Sequence, residues 1–307
     1  MKRYITIALC ALTVFGLGSC NKVHEEDFDN AGHSVTFQAQ LGNDTRTGLA
    51  LKFVPDWRET TLSDVHIWEV TGSERYEGED IEMNIPGKNE GNYEIALFKA
   101  DFSNMTIIVN PPSNAPTRAG ETYVYTAVVA PKDASGKFTV PSTQTPNSAT
   151  LIDPHADFIV GKSPAAFDQS QAGKEVNLIF TRPVAISRLS IMNVSDPTIR
   201  QVRIYSSDKL TGSASYENVD FENATVSFDN SGSNVITLDY GSGVAMPAEG
   251  IFNAYFISLV GTKRITKIEV VTNAQTLTKE FEGGKALTFK VPDFKSIAVN
   301  MGDSCLA

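Results

Sequence analysis

Cysteine and histidine are scarce in this chain of 307 residues, which has three cysteines and four histidines. No pair of cysteines or histidines has the spacing of a zinc site, so a zinc centre is not predicted. The sequence also lacks a Gly-x-Ser-x-Gly nucleophile turn and a glycine-rich phosphate-binding loop. We therefore predict that the protein is not an enzyme and holds no metal and no cofactor.

An excess of positive charge is missing as well. The chain has 26 Lys and Arg against 36 Asp and Glu, which gives a formal net charge of −10. An acidic chain without a basic run is poorly suited to bind nucleic acid, or an anionic bilayer by charge alone. We therefore predict that nucleic acid is not a partner, and that attachment to a membrane would need a lipid.

The N-terminus has the pattern of an export signal. Lys2 and Arg3 precede an apolar run over residues 5–15, and small residues then stand before a cysteine in Leu17-Gly18-Ser19-Cys20. A cysteine in that place resembles a bacterial lipobox, in which the sulfur is linked to diacylglycerol. We predict a lipoprotein signal peptide over residues 1–19 and lipidation at Cys20. The alternative is a plain signal peptide or a short anchor, although the run is shorter than the roughly 20 residues of a membrane span.

The segment over residues 20–32 is polar and acidic, with little to bury. Such a composition is typical of a flexible tether. Its acidic cluster also resembles the tag that sends some Gram-negative lipoproteins to the outer face of the outer membrane, and a plain linker is the alternative. Loss of Cys10 with the signal and lipidation of Cys20 would leave Cys305 alone, so no internal disulfide is predicted.

Beyond residue 33, apolar and polar residues alternate with the two-residue period of half-buried β-strands. The clearest strand contains Val35, Phe37, Ala39 and Leu41. Further strands are predicted near residues 49–53, 93–97, 105–109, 123–130, 158–160, 176–180, 189–191, 202–204, 226–228, 252–256, 268–270, 287–291 and 297–301. Glycine-rich turns are predicted at Gly241-Ser242-Gly243 and Gly283-Gly284. The predicted class is all-β, built from antiparallel sandwiches.

The length of the chain indicates two domains. Two strand-poor stretches, residues 142–157 and 161–173, lie near its middle. We predict an N-terminal β-sandwich over residues 33–170 and a C-terminal β-sandwich over residues 171–307. Each half is long enough for seven or eight strands.

Several segments, taken in order, resemble the fimbrillin family of type V pilins and pilus-associated lipoproteins. After the lipobox, the first strand runs into Asp44-Thr45-Arg46-Thr47, and residues 156–161 are similar to the family's segment that closes the first domain. Residues 176–185 and 199–204 then match the opening of the second domain. The resemblance covers nearly the whole mature chain. It implies two transthyretin-like β-sandwiches in tandem, and a lipoprotein that is built into surface fimbriae or anchors them.

The resemblance also implies a mode of assembly. In polymerising members, a protease cuts after an arginine beyond the first strand, and the vacated groove accepts a strand from another subunit. The matching site here is Arg46, with Thr47 as the new N-terminus, and the removable strand is Val35–Leu41. The predicted donor strand contains Ile297, Val299 and Met301, and the alternative is that it is the last strand of its own domain. Arg118, in another polar segment, is a second exposed-looking arginine.

These features predict other fimbrial subunits as partners, an outer-membrane location through the lipid, and a host or bacterial surface receptor. The alternative is a monomeric outer-surface lipoprotein that binds glycan or a host protein through its loops. Trp57 and Trp68 could stack on a sugar, although tryptophans in a β-protein are usually in the core. Asp153, His155 and Asp157 could hold a cation, although an ordinary polar loop is the commoner explanation. A glycan-degrading enzyme is a weaker third possibility, because no facing pair of carboxylates is evident.

Overall fold

The computed structural model describes residues 35–41, 64–71, 74–77, 79–84, 104–110, 122, 124–146, 152–166, 176–291 and 295–302. Twenty strands account for most of them: β1 (Val35–Leu41), β2 (Val65–Thr71), β3 (Glu74–Glu77), β4 (Glu79–Asn84), β5 (Asn104–Asn110), β6 (Val124–Val129), β7 (Phe138–Val140), β8 (Thr143–Gln144), β9 (Ile159–Lys162), β10 (Val176–Thr181), β11 (Ala185–Met192), β12 (Thr198–Ser206), β13 (Gly212–Ala214), β14 (Val219–Asp220), β15 (Thr225–Val226), β16 (Val235–Ala245), β17 (Ile251–Ser258), β18 (Gly261–Thr272), β19 (Thr276–Phe289) and β20 (Lys295–Asn300). The all-β prediction is confirmed. In the described residues, no helix has both the length and the apolar character needed to cross a membrane.

The first half of the chain forms most of an eight-stranded sheet with the order β3-β2-β6-β9-β10-β1-β5-β4. Strands β6 and β9 lie at its centre and are buried on both faces, as the low exposure of Ala127, Val128, Ile159 and Val160 shows. A strand buried on both faces has no clean alternation of apolar and polar residues. This explains why periodicity does not predict β2, where Ile67 and its neighbour Trp68 are both buried.

The second half builds two further sheets, with the orders β19-β18-β12-β16-β8 and β17-β11-β20. The alternation of β11 is regular, since Ala185, Ser187, Leu189 and Ile191 are buried while the residues between them are partly exposed. These inward residues join a core cluster that includes Val202 and Ile204 of β12 and Phe256 of β17, so the two sheets pack face to face.

The two halves share strands and a core. Strand β10 of the second half belongs to the eight-stranded sheet, β7 pairs with β13, and β8 pairs with β16. A second core cluster joins Val128 and Val160 to Ile257 and Leu259. Residues Gly32–Ala307 accordingly form one compact unit. The division into two tandem sandwiches near residue 170 stays a prediction.

Three details differ from the predicted pattern of antiparallel strands joined by turns. β1 runs parallel to β10, β11 runs parallel to β20, and β16 runs parallel to β8. Gly241 and Gly243 lie inside β16, and Gly283 and Gly284 lie inside β19, so the predicted turns are wrong at these sites. All four glycines have positive φ angles, and the ladders shift register nearby, as in β-bulges.

Candidate strand-exchange site

The predicted removable strand lies inside the eight-stranded sheet, between two other strands. On one side β1 runs parallel to β10. This ladder begins with Phe37 opposite Val176 and ends with Leu41 opposite Phe180. On the other side it runs antiparallel to β5, starting with Val35 opposite Val109. Both backbone edges of β1 are therefore occupied, and loss of this strand would expose two edges that face each other.

Strand β1 is also the link between two parts of the sheet. Among the described strands, β5 pairs with β1 and β4, and the β4–β5 ribbon reaches the other five strands only through β1. Without β1, the sheet would consist of the five-stranded part β3-β2-β6-β9-β10 and the two-stranded ribbon β4–β5.

The β10 side of the site is tightly packed. The side chains of Leu178 and Phe180 are fully buried. Phe180 lies opposite Gly161 of β9, and a Cβ atom at Gly161 would stand only 2.6 Å from the Phe180 ring. Glycine at residue 161 thus lets the aromatic ring lie directly on the neighbouring backbone.

A charged pair joins the segments at the ends of β9 and β10. Arg182 Nε donates to Asp157 Oδ1 and Arg182 Nη2 donates to Asp157 Oδ2, both at 2.6 Å. Only 13% of the Arg182 side chain and 14% of the Asp157 side chain are exposed. Burial opposes the charge of Arg182, but the Asp157 carboxylate outweighs it and raises the pKa of Arg182. This bidentate pair fixes the point where the chain passes from β10 towards β11.

The predicted donor strand is β20, together with the residue after it. Ile297, Val299 and Met301 are 7%, 3% and 2% exposed and belong to the core cluster of the second half. β20 stands at the edge of its three-stranded sheet and pairs only with β11 among the described strands. In this structure it therefore occupies its own half, which is the alternative that the sequence left open.

Other predicted site residues lie outside the described residues. These are Cys20, Arg46, Thr47, Trp57, Arg118 and Cys305. Lipidation at Cys20 and cleavage at Arg46 accordingly remain predictions.

Of the residues considered for glycan or cation binding, those that the structure describes are engaged within the fold. Trp68 is 4% exposed and packs against Phe138, at a ring distance of 5.9 Å, and against Tyr216, at 4.7 Å. Asp153 accepts hydrogen bonds from the backbone of Thr145 and His155, and Asp157 binds Arg182. In the part of the chain that the structure describes, no group of three His, Cys, Asp or Glu side chains could hold a metal ion.

The contacts between the two halves include residues that the sequence pattern did not single out. Gln144 is fully buried; its Nε2 donates to the Ile257 carbonyl at 2.7 Å, and its Oε1 accepts from the Ile257 amide at 2.9 Å. The side-chain amide thereby makes the two hydrogen bonds to β17 that the backbone of a neighbouring strand would make. The only signal in the sequence is a glutamine between Pro141 and Pro146, and it does not reveal the partner.

A second set of contacts lies at the rim, where the segment around Tyr216 covers the sheet. The Tyr216 hydroxyl is 2.8 Å from Thr126 Oγ1, and the Arg75 guanidinium lies over the Tyr216 ring at 4.3 Å. Nearby, His66 Nδ1 and Lys132 Nζ lie 3.1 and 2.7 Å from the Glu77 carboxylate. The His66 hydrogen bond and the Lys132 ammonium lower the pKa of Glu77 to about 2, although partial burial opposes them.

Comparison with solved structures identifies the fold. A candidate cell adhesion protein from Bacteroides ovatus matches with a TM-score of 0.51 and 12% sequence identity, over 90% of this chain and 95% of that chain. The chain has the fold of that Bacteroides protein. This fold is consistent with the resemblance to the fimbrillin family.

Two further structures are similar at lower scores. A fimbrial assembly protein from Parabacteroides distasonis has a TM-score of 0.41 and 11% identity, over 88% of this chain and 92% of its own. The fimbrial anchor protein Mfa2 from Porphyromonas gingivalis has a TM-score of 0.37 and 9% identity, over 81% of this chain and 83% of its own. The fold assignment rests on the Bacteroides ovatus structure. No protein-family model matches the chain, and no curated protein matches it.

Proposed function

We propose that the protein is a structural or accessory subunit of a fimbrium that supports adhesion at the cell surface. It is exported as a lipoprotein, held at the outer membrane through Cys20, and assembled with other fimbrial subunits by exchange of a β-strand. The observation that carries the proposal is the place of β1, which is paired on both sides within one sheet. The fold shared with a candidate cell adhesion protein of Bacteroides ovatus supports it.

Cleavage after Arg46 would act on this strand. Arg46 follows the end of β1 at Leu41 by five residues, so a cut there separates β1 from everything that comes after it. The cut also separates the lipidated Cys20 from the folded part. One proteolytic step would therefore release the subunit from the membrane and open the acceptor site.

The free energy contributed by β1 is expected to be large enough to make the subunit dependent on a replacing strand. If Val35, Phe37 and Leu41 are buried, as their alternation in the sequence predicts, they would contribute roughly 5–9 kcal/mol in total. Most domains have a net stability of only about 5–15 kcal/mol. A subunit without β1 would be much less stable unless another strand took the vacant place, and this dependence would drive assembly.

The proposed donor is β20, either of a second copy or of a related subunit. β20 has six residues against seven in β1. Its buried residues alternate with exposed ones, and the sequence of β1 alternates apolar and polar residues in the same way. As an edge strand it has one ladder to break, the one with β11. Ile297 and Val299 of β20, together with Met301 after it, would have to leave their own core, so the gain in the acceptor must offset that loss.

The test is the intact mass and N-terminal sequence of the protein recovered from the cell surface. We expect a chain that begins at Thr47 and runs as an assembly that resists dissociation in detergent. Arg46→Ala should keep the lipid and remain monomeric, whereas the control Arg118→Ala should be processed normally. A wild-type chain that still begins at lipidated Cys20 and is monomeric would overturn the proposal for a polymerising subunit. It would leave an anchor, a tip, or a monomeric surface lipoprotein that binds through its loops.

A further inference from the structure

The two strands beside β1 differ in how they are held. On the β10 side the sheet extends through four more strands, β9, β6, β2 and β3. On the β5 side it extends through β4 alone. An incoming strand would therefore meet two unlike walls. Because this contrast concerns the acceptor site, the inference drawn from it rests on the proposed function.

The β10 wall is paired through β9 with β6, a strand that is buried on both faces. Ala127 and Val128 of β6 are completely buried although they point to opposite faces of the sheet. On one face Val128 and Val160 share a core cluster with Ile257 and Leu259 of the second half. These four residues lie outside β1, so we expect the contacts among them to persist when β1 leaves.

The ends of β9 and β10 are joined in addition by side chains. Arg182 donates a hydrogen bond to each carboxylate oxygen of Asp157, and the Phe180 ring lies against Gly161. Three residue pairs of the β9–β10 ladder lie in the same region. The β10 wall thus has backbone, core and ionic contacts to the rest of the molecule.

The β5 wall has a different connection. In the described part of the sheet, β4 and β5 form a two-stranded ribbon once β1 is removed. A two-stranded ribbon alone in water is marginally stable. Its place in the sheet is thus set by the β1 ladder, which pairs residues Val35–Gln40 with residues of β5.

We propose that the acceptor site has one fixed wall and one movable wall. When β1 leaves, β10 keeps its position as part of a five-stranded sheet anchored on the second half, and the β4–β5 ribbon loses its place. The replacing strand pairs with β10 in the same orientation as β1, parallel to β10. The β4–β5 ribbon then pairs with the new strand and regains its place in the sheet. The site is therefore completed by the incoming strand and does not stand open as a rigid slot.

Hydrogen exchange measured by mass spectrometry on the full-length protein tests this. Gln38 lies in the middle of both ladders, opposite Asn177 of β10 and Thr106 of β5. Gln38→Pro removes the one backbone donor of this residue and places a proline ring within the paired strand, which should loosen β1. We expect exchange in β4 and β5 to accelerate roughly tenfold or more, and exchange in β9 to change by less than about threefold. Gln38→Thr, which keeps the backbone N–H, is the matched control and should behave as the wild type.

Two results would overturn the inference. Equal acceleration in β9 and β5 would mean that the walls move together, and unchanged exchange in β5 would mean that the ribbon does not depend on β1. Fast exchange in β12 and β18 would show that the proline variant is unfolded entirely. In that case hydrogen exchange of the wild-type protein is measured in rising denaturant, and we expect β4 and β5 to open before β6 and β9. Simultaneous opening of all four strands would count against the proposal.

The outcome is independent of processing in the cell. A surface protein that keeps lipidated Cys20, combined with the expected exchange pattern, would overturn the polymerising subunit but leave the unlike walls in place. A chain that begins at Thr47, combined with equal exchange in β5 and β9, would do the reverse.

Discussion

Arg182 and Asp157 form a two-point contact in which both hydrogen bonds measure 2.6 Å. Asp157 comes just before β9, and Arg182 comes just after β10. The contact therefore ties together the closing segment of the first half of the chain and the opening segment of the second half. Because both side chains are mostly buried, water can solvate either charge only in part.

Removal of one member of this pair should be costly. Arg182→Leu leaves the Asp157 carboxylate buried without its partner, and we expect a loss of about 3–5 kcal/mol in the free energy of unfolding. Urea denaturation measures it. The double variant Asp157→Leu/Arg182→Leu should recover most of the loss, because no buried charge is left alone. A double variant as unstable as the single one would show that the pair acts through its shape rather than its charge.

Gln144 should stabilise the junction through its amide group. Gln144→Leu keeps the apolar volume but leaves the amide and carbonyl of Ile257 without their partner. We expect a loss of about 1–3 kcal/mol for each group left unpaired. Thr143→Ala, at the exposed neighbouring position, is the control and should change stability by less than about 0.5 kcal/mol. Equal effects of the two substitutions would rule out a particular role for Gln144.

The contact between Gly161 and Phe180 predicts a steric effect. In Gly161→Ala the new methyl group would lie 2.6 Å from the Phe180 ring, so the ring must shift. We expect a loss of about 1–3 kcal/mol, typical of an overpacked core. Phe180→Leu frees space, so in a double-mutant cycle the two changes should cost less together than the sum of each alone. Strict additivity would contradict direct contact between the two side chains.

The lowered pKa of Glu77 predicts a pH dependence of stability. The folded-state pKa is about 2, against an ordinary value of 4.5. A carboxylate with a depressed pKa contributes stability above its ordinary pKa, and that contribution is lost as the pH falls from about 4.5 towards 2. Glu77→Gln should therefore reduce the slope of the unfolding free energy against pH in this window. Parallel curves for the variant and the wild type would contradict the proposed role of His66 and Lys132.

Periodicity alone was enough for part of the fold. Strand β1 spans the residues at which alternation is cleanest, and the predicted strand near residues 176–180 is found as β10. The prediction that Trp68 lies in the core is confirmed. Eight strands have no counterpart in the predicted pattern: β2, β3, β4, β7, β8, β13, β14 and β16. β2 is buried on both faces, β7 and β8 are very short, and β16 is interrupted by two glycines that form a bulge.

By itself, the sequence determined the all-β class of the protein and the buried face of a regular strand such as β11, and it predicts a signal of export. Alternation fixes which side chains point inward, because successive residues of a strand face opposite ways. It does not determine which strands are neighbours, since any strand edge offers the same backbone donors and acceptors. Only the tertiary structure placed β1 between β10 and β5, and joined Arg182 to Asp157 and Gln144 to Ile257. Such choices depend on contacts between residues far apart in the chain, where packing and the pairing of buried polar groups decide among many possible partners.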